Sequence, residues 1–513
     1  MRKLLLVGSF ALACISSISA QIRFVDNVID RSKVSVTKNV TYAQNYTVLY
    51  GDMDTTKAGP QFMLESLKMD IYAPNDGSSN RPLVIYLHTG SFLPRYINNT
   101  PTGAKDDSAT VEMCYEFARK GYVVASIAYR QGWDPRSLDE NVRRSTIINA
   151  AYKGVQDLHS CIRWWKENVS AFGNTFSVDT TKYCVGGQGT GSYITSAYAA
   201  LDRQSEITIN KFRDPSTGAA MVMDAIWGDR YGYGGITVPT PQGGPFNMVN
   251  TPGHSSDDAK IAFQIGGALG DSSWLEKGEI PMLWSHSVND PFAPYTTGMV
   301  NVPGTTLQVV EVSGGYDVMD RADKFGNNDV FKGKVMDDYT RAINKVNNGI
   351  DGLYPIVGLV NASGPYEWWD TAAIKMLPKQ FYPVDAILAG AKATNPFMSK
   401  SRALLFVDSL QRYFSPRMAV AMGLVESVGI NKINWASNVT VAPNPAKNRL
   451  TLHNNWENNN LLSAEIRNIN GQKVRSLNVT GNHNEYTLDL PAGIYMISMQ
   501  FENGMGATKL VVE

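Results

Sequence analysis

The sequence predicts an α/β protein, a three-layer sandwich around a mostly parallel sheet, followed by a small C-terminal all-β sandwich. Two observations predict this architecture. Between about residues 65 and 430, short apolar runs typical of buried strands alternate with segments of helical spacing. After about residue 430, short strands of alternating polarity follow one another and are separated by turn signals such as Asn470-Gly471.

The individual elements follow from apolar runs, which predict buried strands, and from apolar residues at helical spacing, which predict helices. Residues 202–258 are rich in Gly, Pro, Asp and Thr, and we interpret them as loops and short helices that could form a lid. The predicted strands are residues 45–50, 67–74, 81–88, 121–129, 182–186, 261–265, 281–286 and 307–312, then 439–442, 449–453, 464–469, 494–499 and 509–512. The predicted helices are residues 111–120, 145–169, 331–349 and 371–430.

The composition limits the classes of partner. A length of 513 residues fits one large α/β domain and one small module. The chain has 47 Lys and Arg against 47 Asp and Glu, so no net positive field attracts nucleic acid, and no nucleic-acid partner is expected. A glycine cluster at residues 186–191 does not match a phosphate-binding P-loop, because no Lys-Ser or Lys-Thr follows Gly191. We expect no cofactor and no metal.

The first 20 residues have the pattern of a secretory signal peptide. Arg2 and Lys3 form a short basic end, an apolar run follows, and small residues precede Gln21, where cleavage is expected. Cys14 raises lipidation as an alternative, but Ala11 stands where a lipobox usually has leucine. No later segment approaches the ~20 apolar residues that a membrane span needs.

Three cysteines, Cys114, Cys161 and Cys184, remain after the predicted cleavage. A bridge between Cys161 and Cys184 would be compatible with an oxidising compartment. The interpretation we prefer is that all three are buried small hydrophobes.

A strand, a tight glycine turn and a helix are predicted around residues 183–201. The turn is Gly187-Gln188-Gly189-Thr190-Gly191. In α/β-hydrolases this position holds the nucleophile elbow G-x-S-x-G, in which a strained turn presents a serine at the top of the sheet. The alignment places Gly189 where that serine would be.

Residues from about 65 to 430 resemble the secreted esterase/lipase branch of the α/β-hydrolase family. Residues 84–92 stand where the family has a strand and His-Gly-Gly-Gly-Phe, and residues 121–130 match a strand that ends in a Tyr-Arg pair. The elbow is the third match, and residues 267–295 resemble the segment that delivers the acid of the catalytic triad. The resemblance implies the α/β-hydrolase fold and places Asp290 at the acid position. Asp290 precedes a proline, so it can also be read as an ordinary turn residue.

The C-terminal residues resemble the type A sorting domain of the Bacteroidetes type IX secretion system. The matching segments are residues 443–446, 468–471, 490–495 and 509–513. The resemblance implies an interaction with the type IX machinery, export across both membranes, and secretion or attachment at the cell surface. The alternative is a carbohydrate-binding or adhesive β-sandwich. The expected organisation is a signal peptide over 1–20, an α/β-hydrolase-like domain over 21–430 and the sorting domain over 431–513.

Two members of the serine-hydrolase triad are missing. Gly189 cannot be a nucleophile, and Ser192 or Thr190 could replace it only if the turn were remodelled. The family order is nucleophile, acid, histidine, yet no histidine lies between Asp290 and the sorting domain. His254, in a flexible loop, is the one substitute base that the sequence offers.

The loop expected to hold the oxyanion is altered too. His88-Thr89-Gly90-Ser91 stands in for His-Gly-Gly-Gly, so two side chains occupy positions where close backbone approach favours glycine. We interpret His88, Thr89, Gly90, Gln188 and Thr190 as the lining of a binding site. A glycine turn at a helix N-terminus can hold an anion, so a small anionic or ester-like ligand is expected.

Three functions remain open on the sequence. The interpretation we prefer is a secreted pseudo-hydrolase that binds a ligand and is inactive as a serine hydrolase. The second is a carboxylic-ester hydrolase with an unusual nucleophile, Ser192 or Thr190, served by His254. The third is a structural or adhesive surface protein. Trp368-Trp369 could line a sugar- or lipid-binding cleft, whereas Trp164-Trp165 fits a helix core.

Overall fold

The computed structural model describes residues 22–50, 61–236, 247–359, 363–376, 383–428, 438–456, 459–468, 471–502 and 504–513. The predicted signal peptide and the predicted domain boundary at 430/431 lie outside these residues. The chain divides into two compact units, one formed by Met1–Val330 with Gly349–Leu424 and the other by Phe331–Asn348 with Val425–Glu513.

The first unit is built on an eight-stranded sheet. The two leading strands are antiparallel to their neighbours and the other six are parallel, as the sequence predicted. In spatial order the strands are β1 (Val34–Leu49), β2 (Gln61–Pro74), β4 (Val123–Ile127), β3 (Arg81–Leu87), β5 (Val178–Gln188), β6 (Ile261–Ile265), β8 (Met282–Ser287) and β11 (Leu353–Ile356).

Helices cover both faces of this sheet, which explains why its central strands are apolar throughout. Gly186 and Gly187 of β5 point to opposite faces. A Cβ on Gly186 would meet Phe263, which packs against Phe117 and Phe414 of two helices on that face. A Cβ on Gly187 would meet Gly191 in the helix on the other face. The helices of the first unit are α1 (Ser108–Arg119), α2 (Glu140–Ser170), α3 (Thr190–Ala200), α4 (Asp224–Trp227), α5 (Gly315–Phe325), α7 (Thr371–Met376), α8 (Val384–Thr394) and α9 (Lys400–Ala421).

The sheet departs from the sequence prediction in two strands. The predicted strand at 307–312 is β10 (Gln308–Gly314), but it pairs with β9 (Gly298–Asn301) and β7 (Ala268–Leu269) in a separate three-stranded sheet. The last strand of the large sheet is instead β11, which was not predicted. It has only four residues and contains Pro355, which is tolerated because β11 is an edge strand.

The second unit has two antiparallel sheets. One contains β12 (Val439–Ala442), β13 (Arg449–Asn454) and β16 (His483–Thr487), and the other contains β15 (Lys473–Leu477), β14 (Leu461–Asn468), β17 (Gly493–Phe501) and β18 (Gly504–Val512). Leu452, Ile466 and Ile497 are among the residues of its own apolar core. This unit includes α6 (Asp338–Ile343), because Val428 pairs with the chain around Val335. The sequence interpretation had assigned residues 331–349 to the larger domain.

Cys114, Cys161 and Cys184 are free and buried, in agreement with the interpretation as small hydrophobes. Within the described residues, no helix is both long and apolar enough to cross a bilayer.

The helix that follows β5 allows no side chain at Gly191. A Cβ there would lie 2.3 Å from the Leu87 carbonyl oxygen, so we expect Gly191→Ala to destabilise the protein by roughly 2–3 kcal/mol. Gly390, in α8, is the matched control, since a Cβ there meets nothing within 4 Å. Gly390→Ala should be neutral or stabilising by up to about 1 kcal/mol. Urea unfolding midpoints measure both, and equal effects would contradict this packing.

Candidate functional site

The turn between β5 and α3 has the geometry of a nucleophile elbow. Gly189 precedes α3 with φ 54° and ψ −116°. Residues other than glycine adopt this backbone conformation only under strain. Its N–H donates to the Ile265 carbonyl oxygen at 2.9 Å, which fixes the turn against β6. The backbone that would present a nucleophile is therefore built, with glycine at its apex.

Thr89 fills the space that a side chain at position 189 would need. A Cβ on Gly189 would lie 2.1 Å from Thr89 Oγ1 and 2.8 Å from Thr89 Cβ. A Cβ atom essentially never lies within 3.0 Å of a non-bonded heavy atom, so a side chain at 189 requires Thr89 to move. The elbow and the oxyanion-type loop have complementary shapes: glycine at 189 matches threonine at 89.

Ser192 and Thr190 are both engaged in the scaffold. Ser192 is buried in α3, and its hydroxyl lies 2.7 Å from the Gly187 carbonyl oxygen while it accepts the Ile265 N–H at 2.9 Å. The Tyr129 hydroxyl donates to the His88 carbonyl oxygen, so the Thr190 hydroxyl donates to Tyr129 at 2.7 Å. Neither hydroxyl is paired with a base.

The structure brings no histidine into this site. All six histidines lie among the described residues, and none lines the cavity beside the elbow. His254 Nε2 lies 2.6 Å from Glu167 at the end of α2, so the substitute base suggested by the sequence is placed elsewhere. His88 is buried and stacked on Tyr129, and burial lowers the pKa of its ring to about 4. His286 is buried, with Nε2 3.1 Å from the Ala293 carbonyl oxygen.

Asp290 follows β8 and faces the cavity. Its Oδ1 accepts N–H groups from Phe292 at 2.8 Å and Ala293 at 3.1 Å, and its Oδ2 lies 3.6 Å from His286 Nε2. Asp290 therefore closes a turn and also lines the cavity.

The cavity beside the elbow has a volume of about 540 Å³ and is lined mostly by apolar side chains. Of the predicted lid at 202–258, Ile207 and Phe212 line it, whereas more of the lining residues come from 363–369 and 386–395. The apolar and aromatic lining includes Phe92, Trp133, Ile147, Val155, Tyr193, Trp274, Val310, Tyr366, Trp369 and Ile387. Of the predicted site residues, Thr89, Gly90, Gly189, Thr190 and Asp290 line it, and His88, Gln188, Ser192 and His254 do not.

Glu367 is a site residue that the sequence analysis did not identify. It lines the cavity, and its Oε1 lies 3.4 Å from Gln188 Nε2. Loss of hydration in the cavity wall, where Glu367 is half-buried, and then the charges of Asp107 and Asp290 raise the pKa of its carboxyl to about 8. The sequence suggests that the adjacent Trp368-Trp369 could line a cleft, but nothing in the local sequence indicates a carboxyl with a raised pKa.

Two family models match the chain, in the order that the fold suggests. The BD-FAE family model matches residues 69–298, and the model of the secretion system C-terminal sorting domain matches residues 440–513. The protein therefore combines an esterase-like α/β-hydrolase fold with a C-terminal sorting domain of type IX secretion. The sorting domain indicates export, followed by secretion or attachment at the cell surface.

Individual relatives are more distant. Phenmedipham hydrolase of Pseudarthrobacter oxydans is 30% identical over 150 residues, which are 28% of this chain and 25% of that protein. The chain thus spans about a quarter of the length of this relative. Thermogutta terrifontis esterase 2 phosphorylated by paraoxon is 14% identical over 72% of this chain and 94% of that one, with a TM-score of 0.32. The same esterase phosphonylated by sarin is 13% identical over 75% and 97%, with a TM-score of 0.35.

The fit between positions 89 and 189 can be measured by a double-mutant cycle. We expect Gly189→Ser to destabilise the protein by roughly 2–3 kcal/mol, because its Cβ meets Thr89 and its φ is positive. Adding Thr89→Gly should recover about 1–2 kcal/mol of this loss. Ser91→Gly is the control, because Thr89 supplies all three of the atoms nearest to a Cβ at 189. The effects of Gly189→Ser and Ser91→Gly on the free energy of unfolding should therefore be additive. Additivity of both pairs would contradict the contact.

The raised pKa of Glu367 predicts a pH-dependent effect on stability. The unfolded carboxyl ionises near 4.5 and the folded one near 8, so the free energy of unfolding falls as pH rises between these values. Glu367→Gln removes this loss and should stabilise the protein by roughly 2–4 kcal/mol at pH 8 but by less than about 1 kcal/mol at pH 5. Urea unfolding at both pH values measures the difference, and a stabilisation independent of pH would refute the assignment.

Proposed function

We propose that this exported protein is a pseudo-hydrolase, whose α/β-hydrolase unit binds a small apolar ligand without serine-hydrolase catalysis. The observation that carries the proposal is the Thr89 side chain, which fills the space of a nucleophile at Gly189. A serine hydrolase also needs an imidazole to accept the proton of the attacking hydroxyl. The cavity lining contains none.

The alternative of an ester hydrolase with an unusual nucleophile has little support from the site. Ser192 is held between β5 and β6, and Thr190 is hydrogen-bonded to Tyr129. His254 is paired with Glu167, outside the cavity lining. A remaining oxyanion-type site alone gives a rate on the order of 10³ over water, far below that of a working esterase.

The cavity supports a binding role more than a purely structural or adhesive one. Its volume of about 540 Å³ lies in the range of pockets for small molecules, and its apolar lining with a few polar groups is typical of them. Among the described residues that line the cavity, the carboxyl groups of Asp290 and Glu367 are accompanied by no Lys or Arg. A lining with carboxyl groups and without a positive side chain weighs against the small anion expected from the glycine turn. It favours the uncharged, ester-like ligand.

We propose the same segment boundaries as the sequence suggested for export. Residues 1–20 serve as the signal peptide and residues 431–513 as the sorting domain that engages the type IX machinery. The match at residues 440–513 supports the second assignment.

Hydrolysis assays test the absence of catalysis. The purified protein is expected to hydrolyse 4-nitrophenyl butyrate no faster than buffer and to resist labelling by a fluorophosphonate probe. The Thr89→Gly/Gly189→Ser variant should also be inactive, because the restored hydroxyl has no histidine beside it. A serine esterase treated in parallel is the positive control. Wild-type turnover that Ser192→Ala or Asp290→Ala abolishes would overturn the proposal.

A further inference from the structure

Glu367 follows Asp290 in the chain, as the catalytic histidine follows the acid in the family. The family order is nucleophile, acid, histidine. Here Gly189 follows β5, Asp290 follows β8, and Glu367 lies in the segment after β11, the strand that pairs in parallel with β8. A carboxyl group therefore faces the cavity from the segment that would otherwise deliver an imidazole.

A chain of hydrogen bonds orients this carboxyl. The Tyr86 hydroxyl donates to Gln188 Oε1 at 2.8 Å, which turns Gln188 Nε2 towards Glu367. Nε2 lies 3.4 Å from Glu367 Oε1 and has only hydrogens to offer, so Oε1 is the acceptor. Oε2 is then the oxygen that can hold a proton and donate it to a ligand.

The charges around Glu367 keep that proton in place. Asp107 and Asp290 are the charged groups that act on it, and both are carboxyls. Asp107 forms a salt bridge with Arg95 at 3.1 Å. The hydroxyls of Tyr86 and Tyr366 are uncharged neighbours of Glu367. The pKa of Glu367, raised to about 8, leaves it mostly neutral at pH 7.

We propose that Glu367 is the polar anchor of the cavity, a carboxylic acid that donates a hydrogen bond to the carbonyl oxygen of a neutral, apolar amide- or ester-like ligand. This inference rests on the proposed binding function. An anionic ligand would meet the charge of Asp290, and a cationic ligand would require Glu367 to lose its proton. A neutral carbonyl satisfies the donor without either change.

Three probes of the same shape distinguish these ligand classes. Isothermal titration of the full chain with 4-phenylbutyramide, at pH values from 6 to 9, tests the neutral carbonyl. The anion 4-phenylbutyrate and the cation 4-phenylbutylamine test the two charged alternatives. The amide should bind most tightly, and its affinity should fall about tenfold between pH 7 and pH 9, as the protonated fraction falls.

Substitutions at position 367 separate the donor from the charge. Glu367→Gln keeps an acceptor for Gln188 and an N–H donor for the ligand, so it should bind the amide with no pH dependence up to pH 9. Glu367→Leu should lose at least tenfold in affinity at pH 7. Glu311→Gln is the matched control, because Glu311 is exposed on β10 between two residues that line the cavity, and it should behave as wild type.

Each other outcome has a distinct meaning. Preferred binding of the amine, tightening as pH rises, would overturn the donor role of Glu367 and leave the binding function standing. A wild-type affinity for the amide that is constant from pH 6 to pH 9 would do the same. Binding of none of the three probes at millimolar concentration would overturn this inference together with the proposed function.

Discussion

The site depends on the close approach of two segments: the oxyanion-type loop that follows β3, which contains Thr89, and the elbow at Gly189. The space between Thr89 and Gly189 holds one side chain, and Thr89 occupies it. The other glycines of the elbow are required by packing alone, since a Cβ on Gly187 would lie 2.5 Å from the Gly191 carbonyl carbon. The glycine motif of a hydrolase is thus maintained by the strand-to-helix packing, whether or not a nucleophile is present.

The large sheet could be predicted because its strands are buried on both faces and are therefore continuous apolar runs. β11 gave no such signal, since it is short, lies at the edge and contains a proline. The sequence could not show that β10 pairs outside the large sheet, because strand partners are chosen by tertiary packing. For the same reason the grouping of residues 331–348 with the second unit depends on a pairing between Val335 and Val428, 93 residues apart.

The candidate site was predictable where a motif fixes a position. Gly189, Thr89 and Asp290 come from the spacing of family motifs, and all three line the cavity. Glu367 does not belong to such a motif. Its contact with Gln188 joins residues 179 positions apart. Its raised pKa depends on loss of hydration and on Asp107 and Asp290, which are far from it in the sequence. His254 was a candidate only because it lay in a loop, and the local sequence could not show that Glu167 would pair with it.

Two carboxyl groups, those of Asp290 and Glu367, line the cavity and determine its electrostatics. In a working triad the acid stabilises a positive imidazolium. Here Asp290 accepts two backbone N–H groups, and its Oδ2 lies 3.6 Å from the buried His286, which does not line the cavity. The second carboxyl that lines the cavity is that of Glu367. Loss of hydration, and then the charges of Asp107 and Asp290, raise the pKa of Glu367 and favour its protonated form at neutral pH. A protonated carboxyl can donate a hydrogen bond as well as accept one.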